Sequence, residues 1–408
     1  MTFEFGSLFR PRLPAAAAAP FAGYPKYYFV GGNNDADTVP TKKLGEIAKA
    51  VLEREGSILA LYGVGHGPQG YLPLRQFIAK TLHQKAALAC HVDEILVTSG
   101  SLQALDLVNN LFLEPGDTVL AEEASYGGAV SRLKALGANV IGIDMDEDGM
   151  RMDHLRQVLA DLKRHGIRPK FIYTIPTVQN PSGTVLTTAR RLELLEIAEL
   201  FEIPIFEDDC YADLLWEGER PPAIRALDKT GRVIYCGSFS KLIAPGFRVG
   251  YIVADWRIIA QILPTKKDGG SGALEQMVLA EFAASEFDQH VAKLSGVLRD
   301  KCQVMADALE EHFGTTAEFA MPKGGIFIWI TLPDIVNTSE LAKAALAEGV
   351  EINPGAEWVV DPATGKNRMR LCFASPSKQQ IRDGVKLLAE ICHRETGVPV
   401  RSANVARP

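Results

Sequence analysis

At 408 residues, with 47% hydrophobic and 23% charged content, the chain has an ordinary globular composition and is long enough for one large and one smaller domain. A net charge of −7 argues against a general nucleic-acid surface, and no apolar run approaches membrane-spanning length. The six cysteines (Cys90, Cys210, Cys236, Cys302, Cys372, Cys392) form no CxxC pair and mostly lie in apolar surroundings, which predicts buried reduced thiols in a cytoplasmic protein, with neither disulfides nor a metal site.

The start, FGSLFRPRLPAAAAAPFAG (5–23), lacks a compact apolar core, so a secretory signal is not supported and an arm, either poorly ordered or draped on a partner, is expected. Residues 30–40, VGGNNDADTVP, are turn-rich. Apolar residues at Leu44, Ile47, Ala48, Val51 and Leu52 follow a helical period. Glycines at 63, 65, 67 and 70 then stand between an apolar run and a helix, as in a dinucleotide loop. The G-x-G-x-x-G pattern fails at Pro68, and no clean βαβ unit surrounds it. His66 lies in this loop, either solvated or functional.

The centre alternates strand-like and helix-like segments, which predicts a mainly parallel sheet covered by helices. Five apolar runs end in polar groups. EILVT leads to Ser99-Gly100-Ser101-Leu102 and a helix, whose first backbone N–H groups suit an anion; a plain cap by Ser101 is equally compatible. TVLAE leads to Tyr126, FIYTIP to Asn180, IPIFE to Asp208, Asp209 and Tyr211, and VIYCG to Ser238, Ser240 and Lys241. Each alone is an ordinary loop. Together they put chemistry at one edge of one sheet, beyond the strand ends, where ligands bind in open α/β folds. A helical run over 274–309 should lead out of the large domain. FAMPKGGIFIWITLP then predicts a strand pair around a glycine turn, followed by the helix LAKAALAEG and the segments EINPGAEWV and RMRLCFA.

One string, Ser238-x-Ser240-Lys241-x-x-x-Pro245-Gly246-x-Arg248-x-Gly250-Tyr251, resembles the cofactor-lysine segment of fold type I pyridoxal-phosphate enzymes, the class I/II aminotransferases, in the branch that includes aminoadipate and kynurenine aminotransferases. The resemblance runs from about residue 28 to about 390. It implies an α/β aminotransferase fold type I: a large domain (44–300) with a mainly parallel seven-stranded sheet, a smaller α+β domain (301–408), and an N-terminal arm and part of the small domain (1–43). It implies bound pyridoxal 5′-phosphate, with Lys241 forming the Schiff base and then moving the proton between Cα and C4′. Asp208, three residues before Tyr211, would pair with the pyridine nitrogen; Asp209 is the competing acid. Asn180 and Tyr211 would hold the ring oxygen, and Tyr126 would stack on the ring. The phosphate would take Ser101, Leu102, Ser238, Ser240 and Arg248, with Tyr62 reaching in from the second subunit of a homodimer with shared active sites.

Arg370 would bind the substrate carboxylate. Arg368, two residues away, would share its side of a strand, but the spacing to LCFA favours Arg370. Gly32 and His66 would border the substrate. The chain departs from the family in a longer interval between Tyr62 and Gly70-Tyr71, in Ala124-Ser125 before Tyr126, and in the basic then glycine-rich stretch 266–272. The implied activity is that of an enzyme acting on an α-amino acid through an external aldimine and Cα deprotonation, with transamination to a 2-oxo acid first. The same residues also suit β- or γ-elimination or replacement, carbon–carbon bond formation or annulation (S-adenosylmethionine included) and oxidation. Regulators built on this fold carry an N-terminal DNA-binding domain, for which too few residues precede Tyr28.

Overall fold

The computed structural model describes residues 5–9, 20–21 and 23–400. Most of the arm expected over residues 5–23, like residues 401–408, lies outside them.

Seven strands form the main sheet: β1 (Ile95–Thr98), β2 (Thr118–Glu122), β3 (Asn139–Ile143), β4 (Ile172–Thr174), β5 (Ile205–Asp208), β6 (Val233–Ser238) and β7 (Gly250–Val253). Their order is β1-β7-β6-β5-β4-β2-β3. All pairings are parallel except those of β7, which runs antiparallel to both neighbours. Five of these strands, ILVT, TVLAE, IYT, IFED and VIYCGS, are buried at every position. Unbroken apolar runs are what a sheet covered on both faces requires. Successive residues divide between the faces: Val119, Phe206 and Ile234 join one core with Leu105 and Val108, while Leu120, Ile205 and Val233 join another with Leu155, Leu194 and Ile197. A one-residue slip would exchange these sets, so the register is tightly specified.

Helix α1 (Thr41–Glu55) and α2 (Ser101–Phe112) match the expected helical segments. So does α3 (Ala273–Phe313), 41 residues long, which packs against both α1 and α4 (Lys378–Thr396). Near the C-terminus, β8 (Phe327–Thr331), β9 (Asn353–Pro354) and β10 (Arg368–Cys372) make an antiparallel sheet in the order β8-β10-β9. Of the strand pair expected around Gly324-Gly325 only the second half is a strand; Glu318, just before the first half, meets Thr331 of β8 in a single antiparallel bridge. Gly324 bridges to Leu215 instead, and a Cβ there would meet the Leu214 carbonyl and Val178. That contact with the main-sheet loops takes the backbone away from β8. The six cysteines are free, all but Cys90 buried.

Candidate active site

The carboxyl ends of the parallel strands open onto a cavity of about 300 Å³. Its lining includes Gly32, Ser101, Leu102, Tyr126, Asn180, Asp208, Tyr211, Ser238, Ser240, Lys241, Arg248 and Arg370. Residues drawn from seven separate stretches of sequence are thus brought together. Two expected residues are not: in its own chain Tyr62 is 93% exposed, and neither it nor His66 lines the cavity. Tyr62 lies beside Gly269 in the 266–272 loop, and the His66 ring packs edge-on against Tyr71 with centroids 5.2 Å apart.

Lys241 follows β6 and projects inward, where its Nζ donates to the Gly32 carbonyl at 2.6 Å. A Cβ on Gly32 would run into that amine and push the lysine end aside. Burial pulls the lysine below its ordinary 10.5, and the Arg370 and Arg248 cations act in the same direction. The result favours a neutral amine, the form that can act as nucleophile or base.

Asp208 ends β5 and is 5% exposed. Its Oδ2 accepts from Tyr173 Oη at 2.7 Å, while its Oδ1 is buried without a partner. Burial raises its affinity for a proton, opposed by hydrogen bonds from Cys210 and Tyr173. Asp209 turns elsewhere: its Oδ2 accepts from Arg220 Nη2 at 2.7 Å and from Tyr235 Oη at 3.1 Å. The two neighbours alternate across the strand end, so only Asp208 meets the cavity.

Arg370 is equally constrained. Its Nη1 donates to Asn180 Oδ1 at 3.1 Å, and its Nη2 to the Gly31 carbonyl at 2.9 Å and Asn353 Oδ1 at 2.7 Å. Asn180 Nδ2 in turn donates to Tyr211 Oη at 3.3 Å. Arg368 does not line the cavity.

At the opposite wall α2 begins at Ser101 with no side-chain cap, leaving its first N–H groups free for an anion. Gly100 has φ 76°, and a Cβ there would clash with the Arg248 guanidinium. Ser238 Oγ accepts from Ser240 N at 3.1 Å. Uncapped N–H groups, two hydroxyls and a guanidinium fit a phosphate; the unpartnered Asp208 oxygen fits a protonated ring nitrogen; the nearly unbonded Lys241 amine fits a carbonyl.

The sequence reading did not single out Trp358, Asn353 or Tyr173, all of which touch this network. Nor did it assign Glu122, which ends β2. Its Oε1 accepts from Thr174 Oγ1 at 2.5 Å, and its Oε2 from Gln179 Nε2 at 3.4 Å. The same Gln179 amide donates to the Ala124 carbonyl at 2.7 Å, so the carboxyl pins the loops carrying Tyr126 and Asn180. Burial pushes Glu122 from its ordinary 4.5 up to about 7. The folded chain therefore binds this proton more tightly than the unfolded chain, and the stability it contributes below pH 4.5 is lost as pH rises to about 7. Glu122→Gln carries no such proton. Chemical denaturation at pH 5 and pH 8 should show the variant gaining on wild type with rising pH, by about 3 kcal/mol at most. An unchanged difference would mean that Glu122 is not raised.

Residues 32–388 match the profile of the family described as aminotransferase class I and II. The chain is 35% identical over 368 residues to aromatic-amino-acid aminotransferase 1 of Thermococcus litoralis, covering 90% of this chain and 87% of that one. It is 33% identical over 365 residues to 2-aminoadipate transaminase of Thermus thermophilus, covering 88% of each. Among solved structures, the multiple substrate aminotransferase of Thermococcus profundus superposes with a TM-score of 0.88 at 32% identity, over 97% of this chain and 100% of that one.

Proposed function

Because this chain belongs to the class I and II aminotransferases, a family of pyridoxal-phosphate-dependent transferases, we propose that it binds pyridoxal 5′-phosphate through Lys241 and transfers the amino group of an α-amino acid to a 2-oxo acid. The observation that carries this reading is the convergence of Lys241, Asp208 and Arg370 on one cavity. Bound pyridoxal phosphate supplies an electron sink that weakens the bonds at the amino acid's Cα.

The protein's part is to hold, orient and move protons. Lys241 Nζ, whose burial disfavours the charged form, takes the proton from substrate Cα and returns it later. Asp208 Oδ1 would hold the proton of the ring nitrogen. Asn180 and Tyr211 would fix the ring oxygen, with Tyr126 beside the ring. Ser101, Leu102, Ser238, Ser240 and Arg248 would anchor the phosphate. Arg370 takes the substrate carboxylate, its planar fork matching two oxygens. Gly32 keeps the backbone low enough for substrate to lie against it. The division into a large unit (44–300) and a smaller one (301–408, completed by part of 1–43) is supported by the separation of the seven-stranded from the three-stranded sheet and by the long helix α3.

Tyr62, largely exposed, and the adjacent loop 266–272 lie outside the cavity of their own chain, which supports an isologous homodimer in which they, with His66, complete the partner's site. Sedimentation at assay concentration tests it, a fully active monomer removing the proposal. Among the described residues no helix is long and apolar enough to cross a membrane, which together with the free cysteines supports a cytoplasmic enzyme.

Two relatives are named for aromatic amino acids and 2-aminoadipate, so these head the substrate panel. With 2-oxoglutarate as acceptor, mass analysis should find the donor's 2-oxo acid and glutamate in equal amounts. Ammonia release, or a replaced side chain without glutamate, would instead support elimination or replacement.

A further inference from the structure

Arg370 is held between two aromatic rings. Its guanidinium carbon lies 3.6 Å from the centroid of Trp358 and 5.1 Å from that of Phe327. The rings come from different elements: Phe327 opens β8, opposite Cys372 of β10, and Trp358 follows the turn at Gly355–Glu357. The Trp358 carbonyl accepts from Ser125 N at 2.9 Å, tying it to the loop that carries Tyr126, whose ring lies 5.9 Å away. Trp358 is 7% exposed and lines the cavity, yet its Nε1 has no hydrogen-bond partner. The polar end of the indole therefore does not explain its position.

What the indole does touch is a buried cation. The edge of the guanidinium is set by Asn180, Asn353 and Gly31. Hydrogen bonds in the guanidinium plane leave its faces uncovered, and burial opposes the charge. An aromatic face attracts a cation through its quadrupole, more strongly where water is excluded. Trp358 supplies that face at van der Waals distance, and Phe327 lies farther off.

We propose that Trp358 is a positioning residue for carboxylate recognition: its ring face holds the Arg370 guanidinium desolvated and oriented, and so sets the preference for ligands with a free carboxylate over their amides. The proposal rests on the reading that Arg370 binds the substrate carboxylate.

The test uses 3-phenylpropionate and its primary amide as competitive inhibitors in initial-rate assays of the holoenzyme and three variants. In wild type the acid should bind well and the amide poorly. Trp358→Leu should lower the acid-to-amide preference about 10- to 30-fold, acting on the acid's inhibition constant and on KM for the amino acid, with the cofactor's absorbance and kcat little moved. Trp358→Phe restores an aromatic face and should recover most of the preference. If Trp358→Leu weakens both inhibitors equally, the indole only fills space and the proposal fails. If Trp358→Phe falls as far as Trp358→Leu, the indole N–H matters rather than the ring face, and the proposal also fails. Arg370→Gln separates the two levels of argument. Loss of preference in Arg370→Gln beside an unchanged Trp358→Leu sinks this inference alone, whereas preference retained in Arg370→Gln sinks the carboxylate assignment beneath it.

Discussion

Replacing Asp208 by Asn is expected to lower kcat by about three powers of ten or more, about 4 kcal/mol of barrier, while leaving the cofactor bound. The binding should survive because the phosphate contacts would come from Ser101, Leu102, Ser238, Ser240 and Arg248, none of which the substitution touches. The rate should fall because an amide cannot hold a proton on the pyridine nitrogen as a carboxylate does. The Oδ1 atom now has no partner, while Oδ2 is secured by Tyr173, so the substitution keeps the shape and removes the charge. Asp209→Asn is the control. Its carboxylate pairs with Arg220, which also contacts Asp213, so the expected effect is on stability. Leaving a buried charge pair incomplete is destabilising. Cofactor absorbance and kcat measured side by side for both variants decide the matter. A large rate loss in Asp209→Asn with a near-normal Asp208→Asn would shift the whole acid assignment by one residue.

The second large effect belongs to Lys241. Lys241→Gln should lower turnover by about five powers of ten, about 7 kcal/mol, since it removes both the amine that captures the cofactor and the base that moves the Cα proton. Little else should change, because the side chain makes one hydrogen bond, to Gly32. The variant should therefore keep its melting temperature within a few degrees, and thermal unfolding of the apo form checks this. Retained turnover in a folded Lys241→Gln would mean another base acts in the cavity.

What was legible in the sequence divides along physical lines. The segment carrying Ser238, Ser240, Lys241 and Arg248 is a strand, a turn and a returning strand, so local pattern and spacing suffice to read it. Asp208 was separable from Asp209 by spacing to Tyr211, and the structure supplies the cause in Arg220, an arginine from a loop eleven residues on. Long-range partners were not legible. Glu122 meets Gln179 across 57 residues, and Trp358 meets the Ser125 loop from a still more distant part of the chain. No periodicity reports such a contact. The strand expected before Gly324 is reduced to the single bridge between Glu318 and Thr331 for the same reason, since Gly324 pairs with the distant Leu215. Tyr62 and His66 mark a different limit, for neither meets the cavity of its own chain.

The claim on which the rest depends is that Lys241 is the residue that carries pyridoxal phosphate. Borohydride reduction of the holoenzyme, followed by proteolysis and mass mapping, tests it without relying on turnover. A pyridoxyl group on the peptide containing Lys241, and at no other lysine in stoichiometric amount, is the predicted result. Modification of Lys266 or Lys267 in its place, with Lys241 untouched, would contradict the site and the function built on it.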